Sequence, residues 1–328
     1  MPRNDPTEQP EPALVWQTWA SVVTERAQAL EQLAVRRIEG SLKPEDLFVP
    51  TGIRKWDGNG GITRGVLTVL GGVDGQGKSF VSEHLAASAG KLGLQVAKLV
   101  MEDPKEQTAN RSIANQTGID SRRLNMATFD LDDMDRIYAA ARETATWGAN
   151  VHYHSGLVSV AQMFGALNDL VADLARRGKK LDLVLLDYAQ AFPEGDAGLE
   201  SVIRHMAWDA NVFAQVHNCG FVVFSQVKPE ISSRGHGVFW AAKKRDQESW
   251  DISGFMPGPG TQDLAWSSAF GQRGRAVGYL FRPGYYEQML GKPGARDDRL
   301  WIRWAKVNFG MAGILEMKFD GKTGTLAD

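Results

Sequence analysis

The 328-residue chain has a single cysteine, Cys219. One thiol excludes an intrachain disulfide framework and a cysteine-based zinc site, and it fits a reducing, cytoplasmic setting. No apolar run reaches the ~18 residues that a bilayer span needs, so no membrane segment is expected. The charge is nearly balanced, with 37 Lys and Arg against 39 Asp and Glu, formally -2. A nucleic-acid partner must therefore be held by a local basic patch, not by an overall field. Histidines number six, and only His152 and His154 stand at a spacing that puts two on one face of a strand. With no third ligand nearby they read as ordinary strand residues, not as a metal site. The acidic, Pro-rich start lacks the basic residues and apolar core of a signal peptide. Residues 1–12 read as a disordered tail.

What is present is the profile of a globular protein: 43% hydrophobic and 23% charged residues, enough chain to bury a sizeable core. Residues 13–38 carry Leu14, Trp16, Trp19, Val22, Val23, Ala27, Leu30, Leu33 and Ala34 at helical spacing, and Gly40 and Pro44 stop the run. Such a stripe must be buried, on its own domain or on a neighbouring subunit; the pattern alone leaves both open. Beyond residue 45 strands and helices alternate. Strand-like runs are Val66–Leu70, Val96–Met101, Val151–Tyr153, Leu181–Leu186 and Phe221–Ser225. Helices are expected near 79–92, around Gln107–Ile113, and at Val160–Arg176 and Val202–His217. Strand-like Val277–Phe281, Leu300–Ala305 and Ile314–Phe319 close the chain. This order predicts an α/β fold with a mostly parallel sheet, helices on both faces and extra strands at the C-terminal edge. Residues 227–263 break the pattern, and a loop of that length is usually functional or disordered.

Residues 72–79 read Gly-Val-Asp-Gly-Gln-Gly-Lys-Ser between an apolar strand and a helix. Gly72, Gly75 and Gly77 let the backbone turn its N–H groups around phosphate oxygens, and the helix N-terminus faces the same anion. Lys78 would reach the β- and γ-phosphates of ATP and Ser79 would ligate Mg²⁺. In Leu-Asp-Leu-Val-Leu-Leu-Asp187, five of the six residues before Asp187 are apolar, so a buried strand delivers a carboxylate to the sheet edge as a second metal ligand. Glu102, at the end of the second strand, is placed for a general base, although a Glu there is more often merely solvated. Gln226 ends another apolar strand, where it can sense a γ-phosphate or serve as a plain polar terminus.

These four elements, in this order, resemble the RecA-like core of the DnaB-type replicative helicases. The resemblance runs over roughly 45–319. It rests on Pro-Thr-Gly-Ile-Arg-Lys-Trp-Asp (50–57), Val-Met-Glu102-Asp-Pro-Lys-Glu-Gln with Arg111 after it, Leu-Leu-Asp187-Tyr-Ala-Gln, Phe-Ser-Gln226, and Ala-Lys306-Val-Asn308-Phe-Gly310. The P-loop is generic; the Asp-Tyr-x-Gln and Ser-Gln pair carries the specificity. The resemblance implies a RecA-like P-loop NTPase core at 45–328 and a homo-oligomer, usually a hexameric ring, with ATP between subunits. Glu102 would be the catalytic glutamate, and Lys306 would act in trans. Single-stranded DNA would thread the channel past loops at 191–199 and 227–250. The second loop carries Lys228, Arg234, Lys243, Lys244 and Arg245 beside Phe239 and Trp240, suited to phosphates and base stacking; the plainer reading is a solvated charged loop. Residues 13–44 would be a linker helix packing on the adjacent subunit.

Three departures stand out. The chain has no room for the family's N-terminal domain, which bears on recruitment of a primase or loader and is shared with short plasmid and phage ring helicases. Asn308 stands where the family carries an arginine that stabilises transition-state charge; either Lys306 or a nearby cation such as Arg303 substitutes, or hydrolysis is slow. Asp74 puts an acid inside the P-loop. The leading expectation is an ATP-hydrolysing, ring-forming DNA helicase. The alternatives are a RecA-like recombinase, repair mediator or regulatory ATPase that assembles without unwinding, and a scaffold that binds ATP only to assemble.

Overall fold

A computed structural model of the chain describes residues 16–193, 198–228, 264, 268–289, 291, 293–307 and 313–328. Internal contacts divide it into residues 1–46 and 47–328. In the first unit, helix α1 spans Trp19–Ile38, and the Thr18 hydroxyl caps it by accepting the Ser21 N–H at 3.1 Å. Arg36 and Arg37 in its last turn suit the negative end of the helix dipole. Arg36 also pairs with Asp46 at 2.5 Å. No residue of α1 is buried, and Trp19 and Ile38 stand 78% and 86% exposed.

The second unit contains α2 (Arg54–Asp57), β1 (Val66–Gly72), α3 (Lys78–Lys91), β2 (Gln95–Val100), α4 (Lys105–Thr117), α5 (Ser121–Asn125), α6 (Leu131–Trp147) and β3 (Val151–Ser155). Then come α7 (Val160–Arg176), β4 (Leu181–Asp187), α8 (Leu199–His217), β5 (Gly220–Gln226), α9 (Ser268–Arg273), β6 (Ala276–Phe281), α10 (Pro283–Met289), β7 (Arg299–Val307), β8 (Gly313–Phe319) and β9 (Leu326–Ala327). Together the strands form a nine-stranded sheet ordered β3-β2-β4-β5-β1-β6-β7-β8-β9. From β3 to β6 every pairing is parallel; β7, β8 and β9 add on antiparallel.

Strand alternation splits the core into two layers. Leu67, Val69, Val184, Leu186, Phe221 and Val223 face α7 and α8, whose Met163, Leu167, Met206 and Phe213 cover them. Leu70, Leu183, Leu185, Val222 and Phe224 face α3, which contributes Val81, Leu85 and Ala89. Continuous apolar runs are what strands covered on both faces require. The one acid inside β4, Asp182, is held: its carboxylate accepts the Gln95 N–H at 2.9 Å and meets Arg64 at 2.9 Å. The segment 50–57 is fixed onto α3. Asp57 accepts from the Thr51 N–H and hydroxyl, both at 2.7 Å, and His84 Nε2 lies 2.9 Å from the Thr51 carbonyl. Burial holds the His84 ring below its usual pKa.

The α/β class, the parallel sheet covered on both faces and the added C-terminal strands agree with the pattern in the sequence. Several elements differ from it, and the short helices α2, α5, α9 and α10 have no counterpart there. Helix α8 starts at Leu199, three residues before Val202. Helix α6 has no counterpart in the sequence reading; Asp130 and Asp133 close a reciprocal capping box at its start. Strand β9 is only two residues long. The expected tail 1–12 and loop residues 229–250 lie outside the described residues.

Candidate functional site

Strands β1, β2, β4 and β5 run parallel, so their C-terminal ends open on one edge of the sheet. That is where ligands meet doubly covered sheets. The turn from β1 to α3 needs its glycines: Gly75 and Gly77 adopt φ of 76° and 91°, a region that L side chains avoid. Gly77 is also the residue that caps α3, and a Cβ there would stand 3.0 Å from Leu300 Cδ1. Gly72 serves through its carbonyl. Lys78 Nζ donates to Gly72 O at 2.8 Å and to Val73 O at 3.1 Å, which arches the loop over the ammonium. Burial lowers the Lys78 pKa, opposed by the charges of Asp74, Asp187 and Glu102. A phosphate would supply the negative charge that the buried ammonium calls for.

Around this loop lies a cleft of ≈ 260 Å³. Lys78, Ser79, Glu102, Asp187 and Gln226, separated in sequence, all line it. Asp187 is buried at the end of β4, and burial pushes its pKa up. A hydrogen bond from the Ser79 hydroxyl and the charges of Lys98 and Arg111 act the other way. The Met101 N–H donates to the Asp187 carbonyl at 2.8 Å, which ties the end of β2 to β4 and sets exposed Glu102 beside Tyr188. The Tyr188 hydroxyl bonds Glu102, and burial with that bond pushes its pKa to about 12. It therefore stays a donor at neutral pH. Gln226 is held at its backbone: Gln190 Oε1 accepts its N–H at 3.0 Å, and Gln190 Nε2 donates to Ser225 Oγ at 2.8 Å. Thus both members of the Asp-Tyr-x-Gln and Ser-Gln motifs lock together.

Among the described residues no group of three or more His, Cys, Asp or Glu could hold a metal ion. His152 Nε2 instead contacts Gln95 Oε1 at 3.2 Å. A Mg²⁺ ion asks for less from protein, one or two oxygen ligands beside phosphates and water. The adjacent Ser79 hydroxyl and buried Asp187 carboxylate fit that demand.

Arg282, just past β6, is a residue of the cleft that sequence reasoning missed. Its guanidinium donates to the Gly75 carbonyl and to both oxygens of Asp297, and it lies 4.8 Å from the Phe319 ring centre. Its backbone N–H donates to Gln76 Oε1 at 2.8 Å. The β6 end therefore braces the P-loop. Only the parallel pairing of β1 with β6 brings them together. Arg111 also lines the cleft and is paired with Asp103 at 2.6 Å.

Lys306 is not brought to this cleft. It pairs across from Val277, which pairs with Val69, three residues before Gly72. That is ~10 Å back along the strand. Its ammonium donates to the Gly271 and Gln272 carbonyls at 3.0 and 3.3 Å. Arg303 is on the same strand, opposite Tyr279. Lys228 follows Gln226 by two residues and is half-buried. Arg234, Lys243, Lys244, Arg245 and Asn308 lie outside the described residues. Among those described, no helix is long and apolar enough to cross a membrane.

Residues 49–328 match the family described as the DnaB-like helicase C terminal domain. A curated relative, the replicative DNA helicase DnaB of Synechocystis sp., is 27% identical over 176 residues, which are 53% of this chain and 20% of that protein. The chain thus spans about a fifth of that relative's length. Two solved structures share the fold, each covering 92% of this chain at 18% identity. The ATPase domain of G40P superposes with a TM-score of 0.72 over 98% of its length. A DnaB-like replicative helicase, described with its interactions with primase, superposes at 0.71 over 66%.

Proposed function

The chain belongs to the family of DnaB-like helicase C-terminal domains, and from that premise we propose that it is an ATP-driven, ring-forming DNA helicase. The observation that carries this reading is the convergence of Lys78, Ser79, Glu102, Asp187 and Gln226 from four parallel strand ends on one cleft. A P-loop alone would bind a nucleotide; adding a glutamate and a glutamine gives the means to cleave it and to register the cleavage.

In this reading Lys78 and the backbone N–H groups of 75–79 hold the β- and γ-phosphates of ATP. Ser79 and Asp187 would hold Mg²⁺, which would neutralise charge on the phosphates. Glu102 orients the attacking water and accepts its proton, and the Tyr188 hydroxyl steadies that carboxylate. Gln226 hydrogen-bonds the γ-phosphate. Because Gln226 and Lys228 are joined by one residue, loss of that phosphate moves the chain that leads into 229–250. Lys228, Arg234, Lys243, Lys244 and Arg245 would there follow the backbone of single-stranded DNA.

Lys306 would serve a neighbouring subunit's nucleotide. Its place on β7, away from the cleft of its own chain, supports that reading. So does the exposed stripe of α1, which suits a linker helix seated on the adjacent subunit of a hexamer.

The test is mass measurement with a non-hydrolysable ATP analogue and single-stranded DNA, followed by ATPase assays with and without DNA. The reading expects a hexamer and DNA-stimulated hydrolysis. A folded chain that stays monomeric on DNA, with hydrolysis indifferent to it, would contradict it.

A further inference from the structure

Asp74 is the P-loop residue that the mechanism leaves unused. A phosphate cradle gathers donors, and a carboxylate inside it opposes the anion. In this fold the carboxylate does not turn away from the cleft. Its Oδ1 accepts a hydrogen bond from Gln226 Nε2 at 3.2 Å, and the same oxygen lies 3.6 Å from Lys78 Nζ. Lys78 begins α3 and Gln226 ends β5, so two separate elements converge on this one oxygen. They are the two groups assigned above to the terminal phosphate. The Asp74 side chain is otherwise open to solvent, 83% exposed, so it can swing out without disturbing the core.

We propose that Asp74 is a built-in surrogate for the γ-phosphate, a specificity-determining residue that sets how strongly the site prefers a nucleoside diphosphate over a triphosphate. The inference rests on the nucleotide reading of the cleft. An arriving triphosphate must break both Asp74 contacts and displace an anion. A diphosphate ends one phosphoryl group short and leaves Asp74 on Gln226. The carboxylate therefore weakens triphosphate binding more than diphosphate binding. After hydrolysis it takes over the Gln226 contact that the departing phosphate gives up.

The experiment is competition binding to the full chain at fixed Mg²⁺, with a non-hydrolysable ATP analogue and with ADP, for wild type and Asp74→Asn. Asparagine keeps the size and the acceptor oxygen and removes only the charge, at an exposed position where folding is not at stake. The analogue is expected to bind Asp74→Asn about tenfold tighter, equivalent to ~1.4 kcal/mol. ADP affinity is expected to change less than about threefold, or ~0.65 kcal/mol. Equal shifts for both nucleotides, or no shift for either, would overturn the proposal while leaving the nucleotide site standing. If neither protein bound either nucleotide while circular dichroism showed both folded, the nucleotide reading would fail, and this proposal with it.

Discussion

Beneath the cleft, Lys98 of β2 forms an ion pair with Glu83 of α3, with the two side chains only 5% and 11% exposed. Helical spacing places Glu83 one turn after Ser79 on the same face. Lys98 is paired with Leu185, two residues before Asp187, and its charge acts on that carboxylate. Lys98→Met would leave Glu83 as a buried, uncompensated carboxylate, a loss of ~3–5 kcal/mol of stability. Glu83→Leu would strand the ammonium at a similar cost. The double variant Lys98→Met/Glu83→Leu replaces the pair by apolar groups of similar volume, and should fall within ~1 kcal/mol of wild type or above it. A double-mutant cycle from urea unfolding, followed by circular dichroism at pH 7.5, would then give a coupling of at least ~5 kcal/mol. Single variants that each cost under ~1 kcal/mol, with an additive double, would refute the argument that this pair is desolvated.

Three further outcomes follow from the same geometry. Arg282→Lys cannot serve Gly75 and both Asp297 oxygens at once, so it should lower stability by ~2–4 kcal/mol and weaken ATP-analogue binding; melting curves with and without the analogue check both. Burial pushes the Cys219 thiol to about 12, so at pH 8 it stays protonated; iodoacetamide should label it only after denaturation. The folded pKa of His84 lies below 6.5 because of burial, so the unfolded chain binds more protons just below pH 6.5. Stability should therefore fall as pH drops from 7.5 to 5.5, and His84→Gln should flatten that fall in urea titrations.

The sheet edge was readable because three of its strands are short apolar runs that each end on a chemical residue: the P-loop after β1, Asp187 on β4 and Gln226 on β5. By pattern alone Glu102 was visible only as a strand terminus, its role coming from the family resemblance, and Tyr188 was visible only within the Asp-Tyr-x-Gln motif, with no sign that it would bond Glu102. Arg282 stayed hidden because its contacts with Gln76 and Gly75 span 206 and 207 residues. In sequence it is one more basic residue before Pro283 and Gly284. Lys98 and Glu83 interrupt apolar patterns, and only the packing of α3 on β2 shows that they neutralise each other. Helix α6 carries just Asp133, Ala140 and Trp147 as buried residues, too sparse a stripe to declare itself; its capping box was the available cue. Asp74 was legible as an anomaly, and the structure gave it two partners.

The most direct test of the account is strand displacement on a forked DNA substrate by the full chain with ATP and Mg²⁺, run beside Glu102→Gln. Wild type should separate the strands. The variant should bind ATP undiminished and lose turnover by ~10²-fold or more, with unwinding lost in step. A folded, ATP-binding wild type that releases no strand, or a Glu102→Gln variant that unwinds at the wild-type rate, would contradict the assignment of this cleft as the motor of a DNA helicase.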